Sequence, residues 1–118
     1  MTAVSLHRLV LLYLYVAYKA DHNFDPRERQ AVIELATRWA PDAEPHEVAE
    51  IVDAAFAVTR GGRGNEVDTL AQEVGLELTP EERLRVLADL GKIARADGYL
   101  STGEAGLISR IRSIWGGL

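Results

Sequence analysis

A nine-residue pattern occurs twice in this chain, 76 residues apart. Ala20-Asp21-His22-Asn23-Phe24-Asp25-Pro26-Arg27-Glu28 pairs position by position with Ala96-Asp97-Gly98-Tyr99-Leu100-Ser101-Thr102-Gly103-Glu104. Each copy reads as a small residue, an aspartate, two turn positions, a large apolar residue, an N-cap residue, two more residues and a glutamate. An apolar stretch precedes each copy and an apolar-striped one follows it. This layout predicts two helix–bend–helix units that pack with approximate two-fold symmetry.

The rest of the chain fits the same plan, with six helices expected. The first runs from about Val4 to Ala20. The second opens at Asp25-Pro26, an N-cap followed by a proline in the first turn, and carries Val32, Leu35, Ala36 and Trp39 at helical spacing before Pro41. A third begins near Pro45, with Val48, Ile51, Val52, Ala55 and Phe56 as its stripe, and ends at Gly61-Gly62. A shorter fourth carries Val67, Leu70, Ala71 and Val74, with Gly75 expected to end it in the left-handed conformation. The capping-box sequence Thr79-Pro80-Glu81-Glu82 starts the fifth, for which Leu84, Leu87, Leu90 and Ala94 are the expected buried face. Ser101-Thr102-Gly103-Glu104 starts the sixth, which continues through Leu107, Ile108, Ile111, Ile114 and Trp115. Strand-like alternation between hairpin turns is missing from the sequence. The expected fold class is all-α: a compact bundle of about six helices made of two pseudo-symmetric helical hairpins, one domain over residues 1–118.

Bulk properties narrow the function. A formal charge of −5 disfavours a generic nucleic-acid binder, which needs excess Lys and Arg for phosphate, and favours a cation or a basic partner surface. The absence of cysteine removes disulfides, thiolate zinc sites and cysteine nucleophiles together. Leu9 to Tyr18 is apolar on every side but shorter than the roughly 20 residues a bilayer span needs, so a buried central helix is expected rather than membrane insertion. It also lacks the flanks of a signal peptide. A cytoplasmic protein is the expectation.

The bends carry the chemistry. Glu28 and Glu104 stand three residues after Asp25 and Ser101, which is capping-box spacing, and Phe24 and Leu100 occupy the position of a hydrophobic staple. Capping therefore accounts for the glutamates. The aspartates break a rule: Asp21 and Asp97 follow a helix carboxyl end, where the dipole disfavours negative charge by roughly 0.3–1 kcal/mol. Paired violations of this kind tend to sit at functional sites, although an aspartate also turns readily on its own backbone.

Other motifs are weaker. Asp21 to Asp25 imitates the start of an EF-hand loop, but Pro26 replaces the required glycine and Val32 the terminal glutamate. His7, His22 and His46 have no zinc-like spacing. Thr59-Arg60-Gly61-Gly62-Arg63-Gly64 lacks the ending of a phosphate-binding loop and reads as a connector. Neither a nucleophilic triad nor a nucleotide fingerprint can be assigned.

The second motif with its following Leu107-Ile108-Ile111, the first copy from Ala20-Asp21 through Glu28, and Arg83 ahead of Val86-Leu87-Leu90 and Ala94 together resemble the TerB family, the tellurite-resistance-associated helical domain. The first copy departs from the family at His22, where glycine is frequent. The resemblance implies an all-helical fold and a metal site of acidic residues in the two bends, carried here by Asp21, Glu28, Asp97 and Glu104. Carboxylates without thiols suit a hard divalent cation such as Ca²⁺, Mg²⁺ or Mn²⁺. The expected function is a non-enzymatic binding module in a stress-response setting, binding a divalent cation, a partner protein, or both. Two other classes stand beside it. One is a metal-dependent hydrolase-like enzyme using the same carboxylates. The other is a structural or oligomerising domain, whose sign would be an exposed apolar face around Ile114 and Trp115.

Overall fold

The computed structural model describes residues 2–19, 24–61, 66–96 and 102–118. Thr2 opens the first helix, its Oγ1 accepting the Ser5 N–H at 3.1 Å, and α1 spans Ala3–Leu14. The helix does not run on in one register. Tyr15–Lys19 forms a π segment, a wider turn adopted where α1 enters the first bend and where three later helices press on it. Nothing in local propensity announces this change.

The remaining helices are α2 (Pro26–Trp39), α3 (Pro45–Gly61), α4 (Glu66–Glu77), α5 (Pro80–Ala94) and α6 (Thr102–Gly116). Both capping boxes in the described residues are complete. Asp25 accepts the Arg27 N–H at 2.7 Å while Glu28 accepts the Asp25 N–H at 3.1 Å. At α5, Thr79 accepts from Glu82 N–H and Glu82 accepts from Thr79 N–H, at 3.2 and 2.9 Å. Such caps satisfy donors that no intrahelical partner can reach. Among the described residues there is no strand.

The apolar run near the start becomes the centre of the molecule. Leu9, Val10, Leu12, Tyr13, Leu14, Val16 and Ala17 are all completely buried. They are surrounded by one continuous core that draws on every helix. Among the described residues no helix is long and apolar enough to cross a membrane.

The repeat reaches well beyond the bends. With the 76-residue offset, Val10 pairs with Val86, Leu14 with Leu90, Ala17 with Ile93 and Trp39 with Trp115, and every one of these side chains is buried. Helix packing follows the same exchange: α2 lies on α5, and the π segment at the end of α1 lies on α6. Tyr13 and Asp89, themselves 76 apart, touch each other through a 2.7 Å hydrogen bond. Two equivalent positions can meet only near the pseudo-two-fold axis, so this bond marks it.

Three local expectations are corrected. Gly75 does not end α4; the helix passes through it to Glu77. Its role is close approach, since a Cβ there would lie 2.5 Å from Trp115 Nε1. Leu84 is 69 % exposed, and the buried stripe of α5 is Val86, Asp89, Leu90, Ile93 and Ala94. Phe24 does not staple along its own helix, because the N4 residue is Arg29; it stacks instead on Phe56 of α3 with ring centroids 4.7 Å apart. The exposed apolar face that would mark an oligomerising domain is not seen at Trp115. Trp115 is 5 % exposed and donates its indole N–H to Ala71 O of α4 at 2.7 Å.

Candidate functional site

Glu28 and Glu104 hold the N3 position of α2 and α6, and each is 1 % exposed. Capping alone does not demand this. Glu82 makes the same pair of capping bonds at α5 and stays partly open to solvent. Removing a carboxylate from water costs several kcal/mol unless it is compensated. The positive end of the helix dipole and, for Glu28, the Asp25 N–H contribute to that compensation. The capping bond uses one of about four acceptor positions that a carboxylate offers.

The N-cap in front of Glu28 is electrostatically settled. The Arg27 guanidinium grips Asp25 through both carboxylate oxygens, and this, with the Arg27 N–H, holds the Asp25 carboxyl below its ordinary range. One turn on, Arg29 donates to both oxygens of Asp53 at 3.0 Å, which ties α2 to α3 and lowers the Asp53 carboxyl in the same way.

Asp21, Asp97, His22 and Ser101 lie outside the described residues, as does the segment from Gly62 to Asn65. Among the described residues no three His, Asp or Glu side chains converge into a metal-holding group. The structure thus gives equivalent buried placements to Glu28 and Glu104, and the other two predicted ligands are not described.

A second polar constellation lies in the core. Asp89, 4 % exposed, accepts from the Tyr13 hydroxyl at 2.7 Å and from the Trp39 indole N–H at 3.2 Å. That indole also reaches the Tyr13 oxygen at 3.0 Å, and the Arg85 guanidinium caps the Trp39 ring at 4.1 Å from its centroid. Burial first, and then the Asp89 carboxylate, push the Tyr13 phenol well above its usual value. The hydroxyl is therefore held as a donor.

The family model described as "Tellurite resistance protein TerB" matches residues 7–116. The chain belongs to the TerB family. The match takes in both bends and every helix but the first turn of α1, so the TerB likeness extends over nearly the whole helical fold and not only over two short motifs. No curated protein and no solved structure matches the chain.

The core constellation of this TerB-family chain was missed by a reading centred on the bends. One signal was present: Asp89 interrupts an otherwise apolar helix stripe, and its repeat mate is Tyr13 in the most apolar run of the sequence. A polar pair on two apolar faces, at equivalent positions, predicts a buried contact across the axis.

Proposed function

We propose that this chain is a non-enzymatic TerB-family binding module that takes a divalent cation through Asp21, Glu28, Asp97 and Glu104 and presents the loaded bends to a partner protein. The observation that carries the reading is the matched burial of Glu28 and Glu104, set against the partly exposed Glu82 in the same capping motif. Packing supports it as well. The π segment that leads into the first bend lies against α5 and α6, the two helices that flank the second.

The donor set is all carboxylate and the chain has no thiol, which fits Ca²⁺, Mg²⁺ or Mn²⁺ better than a soft metal. A cation there would relieve repulsion among the acids, and its loss would return negative charge to the bends. That change of charge is how ion occupancy would alter partner affinity. The family's description, tellurite resistance, suggests a stress response as the setting.

Calorimetry tests the cation. Ca²⁺, Mg²⁺ and Mn²⁺ are titrated into the native chain and into the double variant Asp21→Asn with Asp97→Asn. Heat with the native protein and its loss in the variant are expected. Native protein that gives no heat with any of the three ions removes the proposal.

A further inference from the structure

The pseudo-two-fold leaves one side of the molecule unmatched. Helix α3 packs on α1, the π segment and α2, so it fills the outer groove of the first hairpin. Leu11 and Tyr15 of that hairpin line one cavity with Val58 and Thr59 of α3, and Arg29 is bonded to Asp53 of α3. Advanced by 76 residues, Leu11, Tyr15 and Arg29 become Leu87, Gly91 and Ala105. These three line a groove of about 640 Å³ between α5 and α6. Among the described residues no helix packs on α5 and α6 as α3 packs on the first hairpin. The fourth helix instead packs on α1 and α6.

The lining of this groove is selective. Its apolar floor includes Leu87 and Ile108, with Leu84 exposed at the edge. Its charged residues are Lys92, Arg95 and Arg112, and among the described residues no carboxylate lines it. Among those same residues none of the three cations makes an ion pair, whereas Arg8, Arg27, Arg29 and Arg110 all do. Three cations without an ion pair among the described residues, set around an apolar trough in a chain with 18 acidic and 13 basic residues, mark a face whose complement is acidic and amphipathic.

We propose that the α5–α6 groove docks an acidic amphipathic helix of a partner protein, seated as α3 is seated on the first hairpin. Apolar side chains at i, i+3, i+4 and i+7 enter the trough over Leu87 and Ile108. Flanking carboxylates meet Lys92, Arg95 and Arg112, much as Asp53 meets Arg29 across α2 and α3. The inference goes beyond the binding-module reading: its surface is the α5–α6 groove and not the bends, and it does not use the cation site.

The test is fluorescence anisotropy with a labelled synthetic helix of the length of α3, leucines at the four anchor positions and glutamates on both flanks. It is run on the full chain in a chelator. Saturable binding is expected, with at least about a tenfold loss in Lys92→Glu with Arg112→Glu and in Leu84→Asp, and a fall in affinity with added salt. A peptide carrying glutamine for glutamate should bind at least about tenfold more weakly. Circular dichroism checks that each variant is folded, and Lys92→Gln with Arg112→Gln serves if the charge reversal unfolds the chain. Absent binding, or binding indifferent to these changes, overturns the proposal. So does self-association of the native chain that Leu84→Asp abolishes, because the occupant would then be a second copy. Because the chelator removes divalent cations, peptide binding can succeed while calorimetry fails, or the reverse, and the two readings fall separately.

Discussion

Tyr13 sits at the axis of the molecule, its hydroxyl donating to Asp89 and accepting from the Trp39 indole. Tyr13→Phe removes a donor from a buried carboxylate and leaves Asp89 with the indole N–H alone of that pair. A loss of about 1–3 kcal/mol in denaturant unfolding is expected, the usual cost of orphaning a buried acceptor. The pH dependence has a definite sign. The Tyr13 phenol is raised above its unfolded value, so its contribution is complete below about pH 10 and is lost as pH rises beyond that. Native stability should therefore fall above about pH 10 more steeply than that of Tyr13→Phe, and urea midpoints measured from pH 8 to 11 check this.

At the scale of elements, Gly75 and the caps both lose stability on a change that looks mild, for different physical reasons. Alanine is a better helix former than glycine by about 1 kcal/mol, so Gly75→Ala, in the last turn of α4, would favour an isolated helix. In the folded chain the new methyl group meets Trp115 Nε1 at 2.5 Å and Leu118 Cδ1 at 2.7 Å. Net destabilisation of about 1–3 kcal/mol is expected from overpacking, together with a shift in Trp115 emission as its bond to Ala71 O is disturbed. Thr79→Ala should cost about 1 kcal/mol, the value of a lost N-cap, and leave Trp115 emission unchanged. Thermal melts read both losses, and Trp115 emission separates the clash from the lost cap.

For the whole molecule, the exchange of α2 onto α5 and of the π segment onto α6 means that neither hairpin buries its apolar face alone. One cooperative transition follows. The two tryptophans test it, since Trp39 reports the first hairpin and Trp115 the second. In Trp115→Phe and Trp39→Phe, the remaining indole and the far-ultraviolet circular dichroism should give the same urea midpoint within each variant. Separate midpoints would mean that the halves melt independently.

How much of this was legible in the residues differs from feature to feature. The 76-residue repeat, the caps at Asp25 and Thr79, and the central apolar helix could be read directly, because capping and amphipathic period are set within a few residues of chain. The candidate glutamates could be located but not ranked. Glu28, Glu104 and Glu82 share one local motif, and only the packing of neighbouring helices decides which of them loses its water. Gly75 and Leu84 were misassigned for the same reason: whether a glycine ends a helix or admits an indole, and which side of α5 faces inward, depends on residues 40 positions away in sequence for the one and on α2 and α6 for the other. The π turn, the Tyr13–Asp89 contact at the axis and the unfilled α5–α6 groove likewise arise only when two similar hairpins are brought together around a single α3. Local order is a matter of short-range sterics and hydrogen bonding. Burial and open grooves belong to the assembled fold, where long-range contacts choose the surfaces that meet.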